Sequence, residues 1–391
     1  MLIEVHMLAN HAPSNLNRDD TGSPKEAVFG GYRRARISSQ CLKRSIRRSD
    51  IFRSNLEGHL ACRTKRLAER IRPLLIQHRI DESEADMLDD EMVGWLLVKN
   101  PNVLMFLADD EFRRIAHALC KRWSELVRAI SACQAESGDK KKATKNLQEL
   151  CQDIGKQIEL SRKTSAVDVA LFGRMLADCP SAKVDASCQF AHAISTHKVA
   201  NEFDYFTAVD DLKEASETAE DAGAGMIGDV EFNSACYYKY FNIHVDGLVS
   251  NLTSNLTTPA CPEHAAREVA SRAIRALIEA ACRVTPTGKQ NSFAAHQCPS
   301  LVWIEIRDQN LPISYANAFC KPVDPGAANG LEMESALALK KECEAMTKMY
   351  GLQARNRLLL TKHSDFEILG VGSSQNLEAV LDQVEKEVGN G

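Results

Sequence analysis

No stretch of this 391-residue chain approaches the roughly eighteen apolar residues that a membrane-spanning helix needs. The opening MLIEVHMLAN has no basic region ahead of its apolar residues, and it reads as a first strand rather than a secretory signal. There is no C-x-x-C pair. The cysteines number thirteen and scatter from Cys41 to Cys343, whereas zinc sites need closely paired ligands and secreted frameworks show even counts. Free thiols in a reducing cytoplasm follow, with no cofactor expected. His192 and His197 are five apart, not the i, i+4 spacing of a helical metal site, so no metal is expected either. A positive net charge is missing as well. At −5, bulk composition does not announce a nucleic-acid partner. No internal repeat is evident.

What the chain does have is enough apolar sequence for a full core, 44% hydrophobic against 26% charged. Its length suits one large domain with insertions or two to three smaller ones. Its charge is segregated. Tyr32 to Arg48 carries seven basic residues and no acid, while Asp210 to Asp229 carries seven acids against Lys213 alone.

Along the chain, residues 1–9 read as a strand and 10–31 as a long connection. Ser38 and Ser39 offer an N-cap to a helix starting near Gln40. Residues 55–162 read as helical. VDVALFGRM reads as a strand and QFAHAISTH as a helix. VEFNSACYYKYFNIHV, aromatic and β-branched, reads as a long strand. A helix over 262–283, a strand LVWIEI (301–306), a helix over about 331–350, a strand FEILGV (366–371) and a terminal helix complete the pattern. Strands interleaved with helices indicate an α+β core.

The strongest local signal is SNLNRDDTGSPKEAVFGGYRRARISSQCLKRSIRR (14–48), a polar loop, then basic residues, then a serine-capped helix whose apolar edge is Leu42 and Ile46. Unpaired N–H groups at a helix start attract phosphate oxygens, and lysine and arginine on the same face neutralise them. A solvated basic face would look the same from sequence alone.

LNRDD, PKEAVFGG and RRARISSQCLKR together resemble the CasC-type backbone subunit of the type I-E Cascade CRISPR surveillance complex. The stretches 167–212 and 285–323 resemble the same family. The resemblance is thin across the helical span and the last sixty residues. It implies an RNA-recognition-motif-like (ferredoxin-like) palm with a helical fingers insertion and a protruding thumb loop. The expected divisions are palm 1–54, fingers 55–162, palm 163–202, thumb 203–232, and palm with C-terminal helices 233–391.

The implied role is to coat CRISPR RNA as a polymer, kinking the guide at intervals so that base pairing reads the target DNA strand. The implied partners are further copies of the chain and the large, small, 5′-handle-capping and repeat-processing Cascade subunits, with no membrane. By resemblance, Arg18, Lys25, Arg34, Ser38, Gln40, Lys43, Arg44 and Arg47 fall where the family contacts RNA backbone. Arg174 and Met175 fall at the apolar wedge beside a kinked base. Tyr205, Phe206 and Thr207 fall on the thumb. Read alone, Met175 is a core methionine and the two aromatics are buried strand residues. The chain departs from the family at Tyr32, where relatives can carry a lysine.

Two other classes remain open. A metal-dependent ribonuclease would draw on Asp204, Asp210, Asp211, Asp19 or Asp20, though no spacing demonstrates that these converge. A general single-strand-binding protein would need no CRISPR partners.

Overall fold

The computed structural model describes residues 1–98, 103–134, 140–158, 163–175, 182–208, 226–252 and 262–389. In chain order, β1 (Leu2–Ser14), β2 (Glu26–Phe29) and β3 (Tyr32–Ile37) lead into α1 (Ser39–Arg48) and α2 (Asp50–Asn55). Next come β4 (Cys62–Thr64), α3 (Ala68–Gln77), α4 (Glu82–Ala85), α5 (Asp90–Leu97), β5 (Met105–Leu107), α6 (Asp109–Lys121), α7 (Trp123–Gln134), α8 (Lys140–Gly155) and α9 (Val167–Phe172). Then follow β6 (Cys188–Phe190), β7 (Ala193–Ser195), β8 (Glu202–Ala208), β9 (Met226–His244), α10 (Val245–Leu252) and α11 (Pro262–Arg283). The chain closes with α12 (Gln290–Phe293), β10 (Leu301–Arg307), α13 (Gly330–Tyr350), β11 (Asn356–Thr361) and α14 (Leu377–Gly389).

The chain divides into two compact units. The first comprises Met1–Ser54, Gln189–His244 and Ile274–Gly391. It holds a sheet in the order β11-β10-β1-β9-β7-β3-β2, with β6 and β8 also pairing β9. The central pairings are antiparallel, with β1 between β10 and β9. Residues 2–9 of β1 are buried on both faces because helices cover both. On one face Leu8, Tyr238 and Trp303 pack under Ala336, Leu339 and Cys343 of α13. Toward α1 the other face buries Ala35, Ile37, Leu42, Ala193 and Tyr237. Arg275 of α11 meets Glu378, Asp382 and Glu385, which lie on one face of α14, at 2.7, 2.6 and 3.0 Å.

The second unit comprises Asn55–Cys188 and Val245–Ala273. Its helices meet on apolar stripes of helical period: Phe112, Ile115 and Leu119 on α6, Leu126 and Ile130 on α7, Leu147, Cys151 and Ile154 on α8. Each fully buried side chain of this size contributes about 1.5–3 kcal/mol.

Several expectations are corrected. VDVALF is a short helix, because all of Val167–Leu171 are buried and the Asp168 carboxylate accepts the Ala61 N–H at 2.9 Å. Tertiary context overrides the strand preference of valine there. The QFAHAISTH stretch is two short strands, held by pairing of Ile194 and Ser195 with Tyr238 and Tyr237. FEILGV is not a strand. It makes a tight turn at Leu369 and Gly370, both at positive φ, and the neighbouring strand is β11 instead. The span 55–162 also contains the small β4–β5 hairpin. The connection 10–31 is shorter than expected, since β1 runs to Ser14 and β2 begins at Glu26. No helix among the described residues is long and apolar enough to cross a membrane.

Candidate nucleic-acid interface

Between β1 and β2 the loop 15–25 is tied to itself. Asp19 Oδ1 accepts the Thr21 hydroxyl at 2.7 Å and the Thr21 and Ser23 N–H groups at 3.0 Å each. These donors, the Thr21 hydroxyl foremost, hold the carboxyl below the usual carboxylate range. Arg18 pairs with Pro24 through the backbone, and the Lys25 N–H reaches Asn17 O at 2.8 Å. Asn17 Oδ1 then accepts the Ser38 N–H at 2.8 Å, which fixes the loop to the residue that opens α1.

Ser38 has extended backbone, and its Oγ accepts the Cys41 N–H at 3.3 Å, the cap read from sequence. Leu42 and Ile46 are buried while Gln40, Arg44 and Arg48 are exposed and Lys43 and Arg47 half-buried. No acid lies in the first turn of α1, and Arg47 and Arg48 sit in its last. The first N–H groups of such a helix lack intrahelical acceptors, and its dipole favours an anion. Arg18, Asp19 and Thr21 from the loop, Arg44 and Ser45 from α1, and Gly288 line one groove.

Beside it, Arg36 Nη1 donates to His192 Nδ1 at 3.2 Å. Burial, and then the charges of Arg36 and Lys25, lower the pKa of His192. Arg33 pairs with Glu26 at 3.1 Å.

β8 and β9 extend together as an arm, with Tyr205 opposite Asp229, Phe206 opposite Gly228 and Thr207 opposite Ile227. Tyr205 is 65% exposed and Phe206 37%. Phe206 lies so close over Gly228 that a Cβ there would sit 2.6 Å from its ring. These aromatics are therefore not core, as sequence alone suggested, but surface groups, Tyr205 the more open and Phe206 packed against Gly228. The acids from Asp210 to Asp221 lie outside the described residues.

In the second unit Met175 is 83% exposed, which removes the core reading. Its neighbour Arg174 is buried, with Nη1 2.7 Å from buried Glu111 and further bonds to the Ala182 and Phe106 carbonyls. Arg34 is also buried. Its Nη1 donates to the Ser195 and Thr196 carbonyls at 3.0 and 2.9 Å, and Nη2 to those of Phe319 and Cys320 at 2.6 and 3.3 Å. The expectation that Arg34 and Arg174 contact RNA is corrected accordingly: both guanidiniums are committed to internal acceptors and present no surface to a phosphate.

For the ribonuclease reading, Asp19 is engaged in its own loop, Asp204 is exposed opposite Val230 on the arm, and Asp210 and Asp211 lie outside the described residues. Among the described residues no group of three or more His, Cys, Asp or Glu side chains is placed to hold a metal.

Sequence reasoning passed over Asn15, Asn17 and Gly288, which shape the groove without carrying charge. Asn17 stands within the LNRDD stretch, and asparagine in a loop that must bond neighbouring backbone is the available signal.

The family model described as CT1975-like protein matches residues 3–384. A solved chain from a "CRISPR RNA-guided surveillance complex, pre-nicking" is 27% identical, with a TM-score of 0.76 over 99% of this chain and 100% of that one. A chain from a second "CRISPR RNA-guided surveillance complex" is 24% identical, with a TM-score of 0.59 over 99% of each, a likeness of fold. No curated protein matches.

Proposed function

Because the chain belongs to the CT1975-like protein family, we propose that it is the guide-RNA-binding backbone subunit of a type I-E Cascade surveillance complex. Several copies coat one CRISPR RNA as a filament, and the chain binds without cutting. The sheet unit acts as an RNA-recognition-motif-like palm, the helical unit as fingers and the β8–β9 arm as thumb. The guide, held kinked, pairs with target DNA, and the other Cascade subunits complete the particle in the cytoplasm.

One observation carries this reading. Arg44 from the basic strip on the serine-capped helix α1 and Arg18 from the ordered loop line one groove, and the acids that share it, Asp19 and Asp20, belong to that loop, where Asp19 is held by Thr21 and Ser23. Arg18, Lys25, Gln40, Lys43, Arg44 and Arg47 address backbone phosphate and sugar, while Ser38, expected among them, is buried as the cap of α1 and orders the helix start instead. Tyr205, Phe206 and Thr207 meet bases, and Met175 wedges at the kink.

Contacts of this kind are independent of sequence and weaken steeply with salt. Titrating labelled RNAs of unrelated sequence should give similar affinities. Replacing Lys43 and Arg47 together by alanine should lower affinity uniformly and flatten the slope of log affinity against log salt by about 1.4, the single-strand value for two phosphates. A slope unchanged by the double substitution overturns the phosphate role.

A further inference from the structure

The loop 15–25 and the β8–β9 arm are joined by one side chain. Asn15 follows the irregularity in β1 pairing between His11 and Ser14 and is wholly buried. Its Nδ2 donates to Gly22 O at the loop's far end and to Glu231 O on the arm, both at 2.9 Å. Glu231 pairs with Phe203, two residues from Tyr205. The space is closed from a third side by Gly288, where a Cβ would stand 2.6 Å from Asn15 O and 2.5 Å from Leu16 O. Asn15 Oδ1 is buried with no partner among the described residues, so its two donations orient the amide. At the arm's root, Asn233 Nδ2 donates to Asn201 Oδ1 at 3.2 Å, which holds the two strand ends to each other.

An asparagine is the one neutral side chain of this length that gives two hydrogens from one atom, and here each goes to a different element. A shift of the loop drags on the arm through that nitrogen, or else strands a buried carbonyl, at roughly 1–3 kcal/mol. We infer that Asn15 is a positioning residue that couples the phosphate-side loop to the aromatic arm, so that RNA held at one is felt at the other. The inference rests on the RNA-binding reading above for its consequence, but the coupling itself belongs to the free chain.

Amide hydrogen exchange on the full chain tests it, with and without a single-stranded RNA of mixed sequence. In the free chain, Asn15→Asp, which keeps the shape and loses both donors, should speed exchange about fivefold in residues 18–25 and 229–232 together, the loss expected of one hydrogen bond at each. With RNA, Arg18→Ala should reduce the protection gained by the arm amides in the otherwise native chain, and should leave it unaffected in the Asn15→Asp background. A merely structural amide would lower the melting temperature without creating that difference. Arm protection indifferent to Arg18→Ala in the native chain overturns the coupling, and this result stands even where Asn15→Asp fails to fold. Free-chain exchange that rises in the loop alone overturns it too. RNA that protects nothing in the native chain refutes the RNA-binding reading instead, and the free-chain exchange still decides the coupling.

Discussion

At Arg34 four backbone carbonyls from two distant segments converge on one guanidinium. Phosphate recognition uses the same donors, so an RRAR run cannot announce from sequence which arginine faces out. The acceptors lie 161 to 286 residues along the chain, beyond any local pattern. Met175 shows the reverse: its methionine chemistry favours a core, but the side chain stands in solvent. These placements give opposite mutational signatures. Arg34→Met should destabilise by about 3 kcal/mol, since buried carbonyls lose their donor, while leaving RNA affinity per folded molecule unchanged. Met175→Ala should stay within about 0.5 kcal/mol of the native chain, as exposed sites do, and should disturb only the geometry of bound guide. Denaturant titration of both proteins checks the pair. A large stability loss at Met175, or none at Arg34, would contradict these roles.

Among the elements, α1 was the most legible, because its cap, apolar edge and basic face are all encoded within eleven residues, Ser38 to Arg48. The long strand β9 and the helices α11, α13 and α14 were legible for the same reason, a period sustained over many residues. Val167–Phe172 and the short strands β6 and β7 were not, since three to six residues carry too little period to compete with tertiary contacts. The arm shows how far sequence reaches: its flanking strands could be read, but not that Tyr205 and Phe206 stand exposed. Replacing residues 212–225 by a short Gly-Ser linker leaves the β8–β9 pairing from Met226 onward untouched. That variant should fold and still bind RNA as single copies, yet load guides sparsely and unevenly in native mass measurements. Full, regular loading would make this segment a passive excursion.

Across the whole molecule, the sheet carries buried titratable groups that set its response to acid. His6 and His11 are both held at about 3, chiefly by burial, with Arg307 lowering the first further against Glu305, and Lys239 the second. Burial raises Glu4 to about 7. A depressed histidine stays neutral in the folded chain while the unfolded one takes a proton, so its stabilisation is lost as pH falls below 6.5. A raised carboxyl acts oppositely, adding stability as pH falls from 7 toward 4.5. Two histidines oppose one glutamate, so stability should decline from pH 6.5 to 4.5 and more steeply below. His11→Gln should flatten the upper part of that limb, and an unchanged slope in chemical denaturation would show that other groups dominate. At this scale the mixture of sheet and helices was legible, and its strand order was not, because β1, β9 and β10 meet across more than two hundred residues. The guide-coating role is tested most directly by sequencing the RNA that co-purifies with the protein from cells expressing the complex. Repeat-flanked spacers of uniform length are expected, and RNA of mixed length and origin, or none, would contradict the role.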